Sequence, residues 1–141
     1  MTPSQPSPAG YSGTPLPKKL GIKPGSVVAL VGAPHGFRKM LGPLPEGAKL
    51  RAGAEKDCTL ALWFTRSRKE LERGMPRAAE LAAHGPVWII WPKQASGAAT
   101  DLREQAVREA GLAAGLVDYK VCAVDATWSG LLFARRKSAR P

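Results

Sequence analysis

The chain has 141 residues and a formal net charge of +10, with 15 glycines and 13 prolines. This length fits one domain with a hydrophobic core, and no apolar run is long enough to cross a bilayer. The first ten residues have neither the basic nor the apolar region of a secretory signal, so we expect a cytoplasmic protein.

The two ends of the chain differ in composition from its middle. Residues 1–13 are rich in Pro, Ser, Gly and Thr, which predicts a disordered N-terminal tail. Residues 14–136 are expected to form a single α/β domain, and residues 137–141 a basic C-terminal tail. Thr14 and Pro15 predict a short helix over residues 15–20 that ends at Gly21.

Three apolar runs, at residues 26–31, 59–64 and 87–91, predict strands that are buried on both faces. Such strands are typical of a parallel sheet covered by helices. The alternating residues 48–52 predict a weaker strand near an edge of the sheet. We expect the three buried strands and a further strand at 119–124 to be parallel neighbours in that order.

Helices are expected between these strands. Residues 37–41 predict a short one, and Ser67 with Glu70 forms the capping-box pattern that starts the next. Gly74 and Pro76 predict that this helix breaks into two pieces. Thr100 is expected to cap the last helix.

The last helix is followed by a strand pair. Asp101 suits the positive N-terminal end of this helix, and Gly111 predicts an early end to it. A final strand at 131–134 follows 119–124 across the turn 125–130. The sequence therefore predicts a three-layer, Rossmann-like α/β sandwich, with a mostly parallel sheet and an antiparallel last strand.

The loops that follow the strands predict a candidate binding edge, because open α/β sheets bind ligands beyond the carboxyl ends of their strands. An anionic ligand or a protein partner could bind there. The alternative is structural: Lys93 pairs with Asp125 and pins the hairpin turn, while Trp128 closes the core. Seven side chains are expected at this edge: His35, Arg66, Lys93, Ser96, Asp125, Trp128 and Ser129.

No motif in the chain fixes a reaction. Gly32 and Gly36 fall short of the Gly-x-Gly-x-x-Gly spacing of a dinucleotide-binding turn, and no acidic residue follows a clear second strand. His35 has no carboxylate or nucleophile at a supporting distance in sequence, so it is a weak candidate for a general base. We therefore expect no catalytic residue and no bound cofactor.

The cysteines have no metal-ligand or disulfide spacing. Cys58 and Cys122 are isolated, and with His35 and His84 they do not form a metal-binding pattern. We expect two buried free thiols and no metal site.

The positive charge is concentrated partly at the ends of the chain. Basic ends attract nucleic acid weakly and without sequence preference, although the same charge could serve only as a solubilising surface. We expect that removing residues 135–141 lowers any nucleic-acid affinity more than changing a loop residue does, and we expect no membrane partner. The basic residues at the two ends are Lys18, Lys19, Lys23, Arg135, Arg136, Lys137 and Arg140.

Three strings resemble a family of small bacterial proteins of unknown function: YSGTPLPKKLGIKPG at 11–25, WPKQASG at 91–97 and GLVDYKVCAVDATWSGL at 115–131. This resemblance implies no activity. The order of TLALWFT, a helix, LAAHGPVWIIWP, a helix and a strand pair is also similar to the second half of S-adenosylmethionine-dependent methyltransferases. In those enzymes a Gly-rich loop holds the cofactor, whereas this chain has VGAPHGF, without the acidic-Gly-x-Gly pattern.

Three kinds of function are therefore considered. The first is a non-catalytic binding or adaptor domain that uses the carboxyl edge of the sheet and the Trp128 loop. The alternative is a small group-transfer enzyme with a nucleotide-like cofactor, in the manner of a degenerate methyltransferase, or a weak nucleic-acid binder. The lack of a catalytic constellation favours the non-catalytic hypothesis.

Overall fold

The computed structural model describes residues 14–53, 57–93 and 101–136. The expected tails and Ser96 lie outside these ranges. The described residues form four helices and six strands in this order: α1 (Leu16–Leu20), β1 (Val27–Val31), α2 (Phe37–Leu41), β2 (Lys49–Ala52), β3 (Leu60–Phe64), α3 (Arg68–Leu81), β4 (Val87–Pro92), α4 (Glu104–Ala113), β5 (Leu116–Ala123) and β6 (Trp128–Arg135).

The six strands form one sheet in the order β2-β1-β3-β4-β6-β5. Strands β1 to β4 pair in parallel, and β6 is antiparallel to both β4 and β5. The prediction of a mostly parallel sheet with an antiparallel last strand is confirmed, as is the edge position of residues 48–52 in β2.

The predicted position of residues 119–124 beside β4 is wrong, because β6 lies between β4 and β5. The burial of the two strands gives the reason. Residues 130–133 of β6 are all buried, as an interior strand requires. In β5, by contrast, Val117, Tyr119 and Val121 are exposed, and a bulge between Asp118 and Lys120 interrupts the ladder. An exposed and bulged strand belongs at an edge.

The helices cover the two faces of the sheet. Leu20 of α1 and Phe37 of α2 belong to one buried cluster with Trp88. Met75 of α3 and Val107 of α4 belong to a second cluster on the other face. The chain therefore forms the three-layer sandwich expected from its sequence. Within the described ranges, no helix has the length and apolar character needed to cross a membrane.

The expected break in the third helix is wrong, because α3 runs without interruption through Pro76. Its buried side chains Leu71, Met75, Ala78 and Leu81 lie on a single stripe, and packing of that stripe overrides the local preference of a proline. Gly74 has a packing role, since a Cβ atom there would lie 2.8 Å from the Trp63 ring.

The start and end of α4 also differ from the expectation. The helix begins at Glu104 with Arg103 as its N-cap, and Thr100 lies outside the described residues. Gly111 does not end it, because α4 continues to Ala113. A Cβ atom at Gly111 would lie 2.6 Å from the Phe133 ring, so glycine allows the helix to approach β6 closely.

Candidate functional site

The candidate site lies at the carboxyl ends of the parallel strands. From β1 the chain crosses to β2 on one side, whereas β3 and β4 lie on the other side. This reversal makes the boundary between β1 and β3 the topological switch point, where open α/β sheets bind their ligands. Gly32 follows β1 here, and Thr65 and Arg66 follow β3.

The side chain of Arg66 spans this switch point. Its Nη2 donates to the carbonyl oxygen of Gly32 at 2.9 Å, and its guanidinium carbon lies 5.3 Å from the centroid of the Trp128 ring. Gly32 has a φ of +71°, and a Cβ atom there would lie 3.1 Å from the Phe64 carbonyl oxygen. The chain's own arginine therefore occupies the crevice.

Three aromatic side chains in edge-to-face contact lie on the core side of Arg66. The ring of Trp128 meets Phe64 edge-to-face, with centroids 5.2 Å apart, and Phe64 meets Phe37 in the same way at 4.9 Å. Edge-to-face pairs add stabilisation beyond that of the buried area. Since Trp128 is only 8% exposed, it closes this end of the core and presents one ring surface to Arg66.

The turn before β6 fixes the position of Trp128. Oδ1 of Asp125 accepts hydrogen bonds from the backbone N–H groups of Thr127 and Trp128, each at 2.8 Å. The N–H of Lys93 donates to the carbonyl oxygen of Thr127 at 2.7 Å, which joins the loop after β4 to this turn. Ser129 lies in the ladder opposite Trp91 and Ala123. These contacts support the structural alternative for Asp125.

We expect the substitution Asp125→Ala to lower the free energy of unfolding by about 1–2 kcal/mol, because two charge-assisted hydrogen bonds are lost at a partly exposed site. Thr127→Ala is the matched control. Thr127 takes part in the turn through its backbone, so its replacement should change stability by less than about 0.5 kcal/mol. Urea denaturation measures both. Equal effects of the two substitutions would contradict this role of Asp125.

The N-terminus of α3, beside the crevice, is already bonded to the chain's own oxygen atoms. Ser67 Oγ accepts from the N–H of Glu70 at 3.1 Å, and the Glu70 carboxylate accepts from the N–H of Arg66 at 2.8 Å. The predicted capping residues are therefore correct, although Glu70 bonds Arg66 instead of Ser67. Asp101 accepts from the N–H of Arg68 at 2.8 Å. These carboxylates fill the position that an anion takes at a helix N-terminus.

An open cleft of about 670 Å³ lies on the other side of Gly32, between the β1–α2 loop and the end of β2. Its lining includes His35, Arg38 and Lys39, and none of the described residues that line it is acidic. The cleft is within the size range of small-molecule sites, which is roughly 300–1,000 Å³. Its basic lining favours an anionic ligand.

The predicted site residues thus separate into two places. Arg66, Trp128, Asp125, Lys93 and Ser129 are brought together around the crevice and the hairpin turn, whereas His35 lines the neighbouring cleft. Sequence reasoning did not identify the Arg66–Gly32 bond or the basic residues of α2. Two aromatic residues of these regions, Phe37 and Phe64, were also missed.

The described cysteines are buried, and the described residues form no cluster of metal ligands. They contain no group of three or more His, Cys, Asp or Glu side chains that could hold a metal ion. Cys58 and Cys122 are free and buried, as expected, and burial raises the pKa of both thiols. A raised pKa keeps a thiol protonated near neutral pH and makes it a poor nucleophile.

Comparison with known proteins gives a family and a fold. Residues 50–137 match a family described as "Protein of unknown function (DUF3052)". This range contains the second and third strings noted above, but not the first. No curated protein matches the sequence.

Several solved structures share the fold. A protein from Sulfolobus solfataricus, provisionally assigned as a type 11 methyltransferase, is 12% identical with a TM-score of 0.57, over 87% of this chain and 90% of that one. A protein of the NADB-Rossmann superfamily from Streptococcus agalactiae is 9% identical with a TM-score of 0.56, over 89% and 69%. A Streptococcus pneumoniae protein, provisionally assigned as a tRNA (m1A22) methyltransferase, is 10% identical with a TM-score of 0.52, over 84% and 68%. At these identities the likeness concerns the fold alone.

Proposed function

We propose that this chain, which belongs to the DUF3052 family of proteins of unknown function, is a non-catalytic Rossmann-like binding domain for a phosphate-bearing, nucleotide-like ligand. The ligand lies in the cleft between the β1–α2 loop and the end of β2. We extend the proposal to a cytoplasmic location, which two buried free thiols support because reducing compartments preserve thiols.

The observation that carries the proposal is the closure of the crevice by Arg66. Rossmann-like sheets bind their nucleotides across the switch point. In this chain, a ligand that crossed it would have to displace Arg66 from both the Gly32 carbonyl oxygen and the Trp128 ring. We therefore place the ligand on the cleft side of Gly32, away from the residues that follow β3.

The chemistry of the cleft favours a phosphate-bearing ligand. The described lining includes the basic side chains Arg38 and Lys39. Arginine and lysine bind phosphate oxygens by charge-assisted hydrogen bonds. The proposed ligand class is thus a nucleoside phosphate.

Thermal unfolding with a ligand panel tests this proposal. We expect ATP, ADP or NADP⁺ to raise Tm, since a ligand at 100 times its Kd adds about 2.7 kcal/mol of stability, whereas S-adenosylmethionine and adenosine should have no effect. The double substitution Arg38→Gln with Lys39→Gln should weaken nucleotide binding by at least about tenfold, which corresponds to a loss of about 1.4 kcal/mol of binding free energy. Lys69→Gln with Arg73→Gln on α3 is the matched control. A panel without any shift, or equal weakening by the control, would overturn the proposal.

The second candidate is a small group-transfer enzyme of the methyltransferase type. The fold favours it, because structures provisionally assigned as methyltransferases align over most of this chain. This candidate requires S-adenosylmethionine to bind the unaltered protein and Arg66 to move aside. Calorimetric titration with S-adenosylmethionine and S-adenosylhomocysteine decides between the two functions, since a micromolar Kd for either would support the enzyme.

A further inference from the structure

The charges of this chain are unequally divided between the two faces of the sheet. The helices on one face, α1 and α2, contain four basic residues and no acidic residue. The helices on the other face, α3 and α4, contain five basic and five acidic residues. The excess positive charge of the helices therefore lies on the α1–α2 face.

Contacts to the sheet show how far this face extends. α1 lies over β4 and β5, since Trp88 Nε1 donates to the Leu20 carbonyl oxygen at 2.9 Å and Lys120 Nζ donates to the Lys19 carbonyl oxygen at 3.0 Å. α2 lies over β3, where Phe37 meets Phe64. The two helices thus cover the sheet from β5 to β3. We define the basic face by five exposed residues: Lys18, Lys23, Arg38, Lys39 and Lys120.

Ion pairs between described residues do not cancel the charge on the basic face. Among residues 14–53, 57–93 and 101–136, no ion pair involves a residue of the basic face. Lys120 donates to a carbonyl oxygen, which satisfies a donor and leaves the charge in place. On the opposite face, by contrast, Arg77 pairs with Glu80 and Arg108 with Glu104. The basic face therefore produces a positive potential that a polyanion can neutralise.

We infer that the basic face binds the phosphate backbone of nucleic acid. A membrane-binding surface needs exposed apolar side chains beside its basic ones, so that they can enter the lipid. In α1 and α2 the one exposed large apolar side chain is Met40, at 40%, and beside Lys120 in β5 Tyr119 is 57% exposed. These are single side chains on different elements and do not form an apolar face. Backbone binding to nucleic acid requires only lysine and arginine. The sequence alone predicts that residues 135–141 contribute most to any nucleic-acid affinity. The basic face, by contrast, lies within the folded domain, so we now expect the tail to contribute little.

The affinity should fall steeply with salt and show little sequence preference. Each phosphate neutralised contributes about −0.9 to the slope of log K against log [salt] for B-DNA, and about −0.7 for single strands. A face that engages four or five phosphates should therefore give a slope of about −3 to −4.5.

Fluorescence anisotropy with a labelled 20-nucleotide RNA and a labelled 20-base-pair DNA tests the inference. We expect K18E with K23E, and separately R38E with K39E, to weaken binding by at least about tenfold and to reduce the salt slope by about 1.4–1.8. The matched control K69E with R73E changes the same net charge on α3 and should weaken binding less than about threefold. Truncation after Arg136 should have a similarly small effect.

The first substitution pair separates this inference from the proposed nucleotide cleft, because Lys18 and Lys23 do not line that cleft. K18E with K23E should lower nucleic-acid affinity and leave the Tm shift by ATP unchanged. The inference would be overturned if the control pair or the truncation lowered affinity as much as the basic-face pairs do. It would also be overturned by tighter binding to vesicles of phosphatidylglycerol than to nucleic acid.

Discussion

Replacement of Trp88 by Ala should lower the free energy of unfolding by about 3–5 kcal/mol, the range for removing a large aromatic side chain from a core. Trp88 lies on the interior strand β4, and no part of it is exposed. Its indole Nε1 donates to the carbonyl oxygen of Leu20 at 2.9 Å. The same side chain therefore fills the core and attaches α1 to the sheet, and the substitution removes both contributions.

Urea denaturation followed by circular dichroism measures this loss. Trp88→Phe is the informative control, because it keeps most of the apolar volume and leaves the buried Leu20 carbonyl oxygen without its donor. We expect that control to cost about 1–3 kcal/mol. If Trp88→Ala lost less than about 1 kcal/mol, Trp88 would not hold α1 on the sheet as described.

Replacement of Trp128 by Ala should cost a comparable amount, about 3–5 kcal/mol. The ring of Trp128 is 8% exposed and meets Phe64 edge-to-face. It also supports the guanidinium group of Arg66. Its loss should therefore weaken the core and release Arg66 from one of its two contacts in the crevice.

Trp128→Phe should recover most of this stability, since a smaller ring can still contact Phe64. Tyr119→Ala is a surface control, because Tyr119 is 57% exposed and its removal should change stability by less than about 0.5 kcal/mol. Thermal denaturation of the three variants ranks them. An effect of Trp128→Ala as small as that of Tyr119→Ala would show that Trp128 does not close the core.

Most of the fold could be predicted from the sequence because its strands are strongly apolar. The runs at 26–31, 59–64 and 87–91 correspond to β1, β3 and β4, and residues 37–41 match α2. The position of β5 could not be predicted, because a hairpin can place either of its strands next to β4. Burial decides it, since residues 130–133 of β6 are all buried, whereas half of the residues of β5 are exposed.

Part of the site could also be predicted from the sequence, because the order of the strands fixes which loops lie together. Loops that follow parallel strands meet at one edge, so the connectivity places Arg66, Lys93 and Trp128 in the same region. The bond from Arg66 to the Gly32 carbonyl oxygen depends on side-chain conformation, which no sequence pattern specifies. The charge of α1 and α2 appears as one surface only when both helices are placed on the same face of the sheet.

We propose that Arg66 stays across the crevice and that the ligand binds in the neighbouring cleft. Two-dimensional ¹⁵N NMR of the protein titrated with ATP and, separately, with S-adenosylmethionine tests it directly. We expect ATP to shift the backbone amide signals of residues 35–39 and to leave the indole N–H signal of Trp128 in place, while S-adenosylmethionine shifts neither. Saturable shifts of the Gly32 amide and the Trp128 indole with S-adenosylmethionine would contradict it.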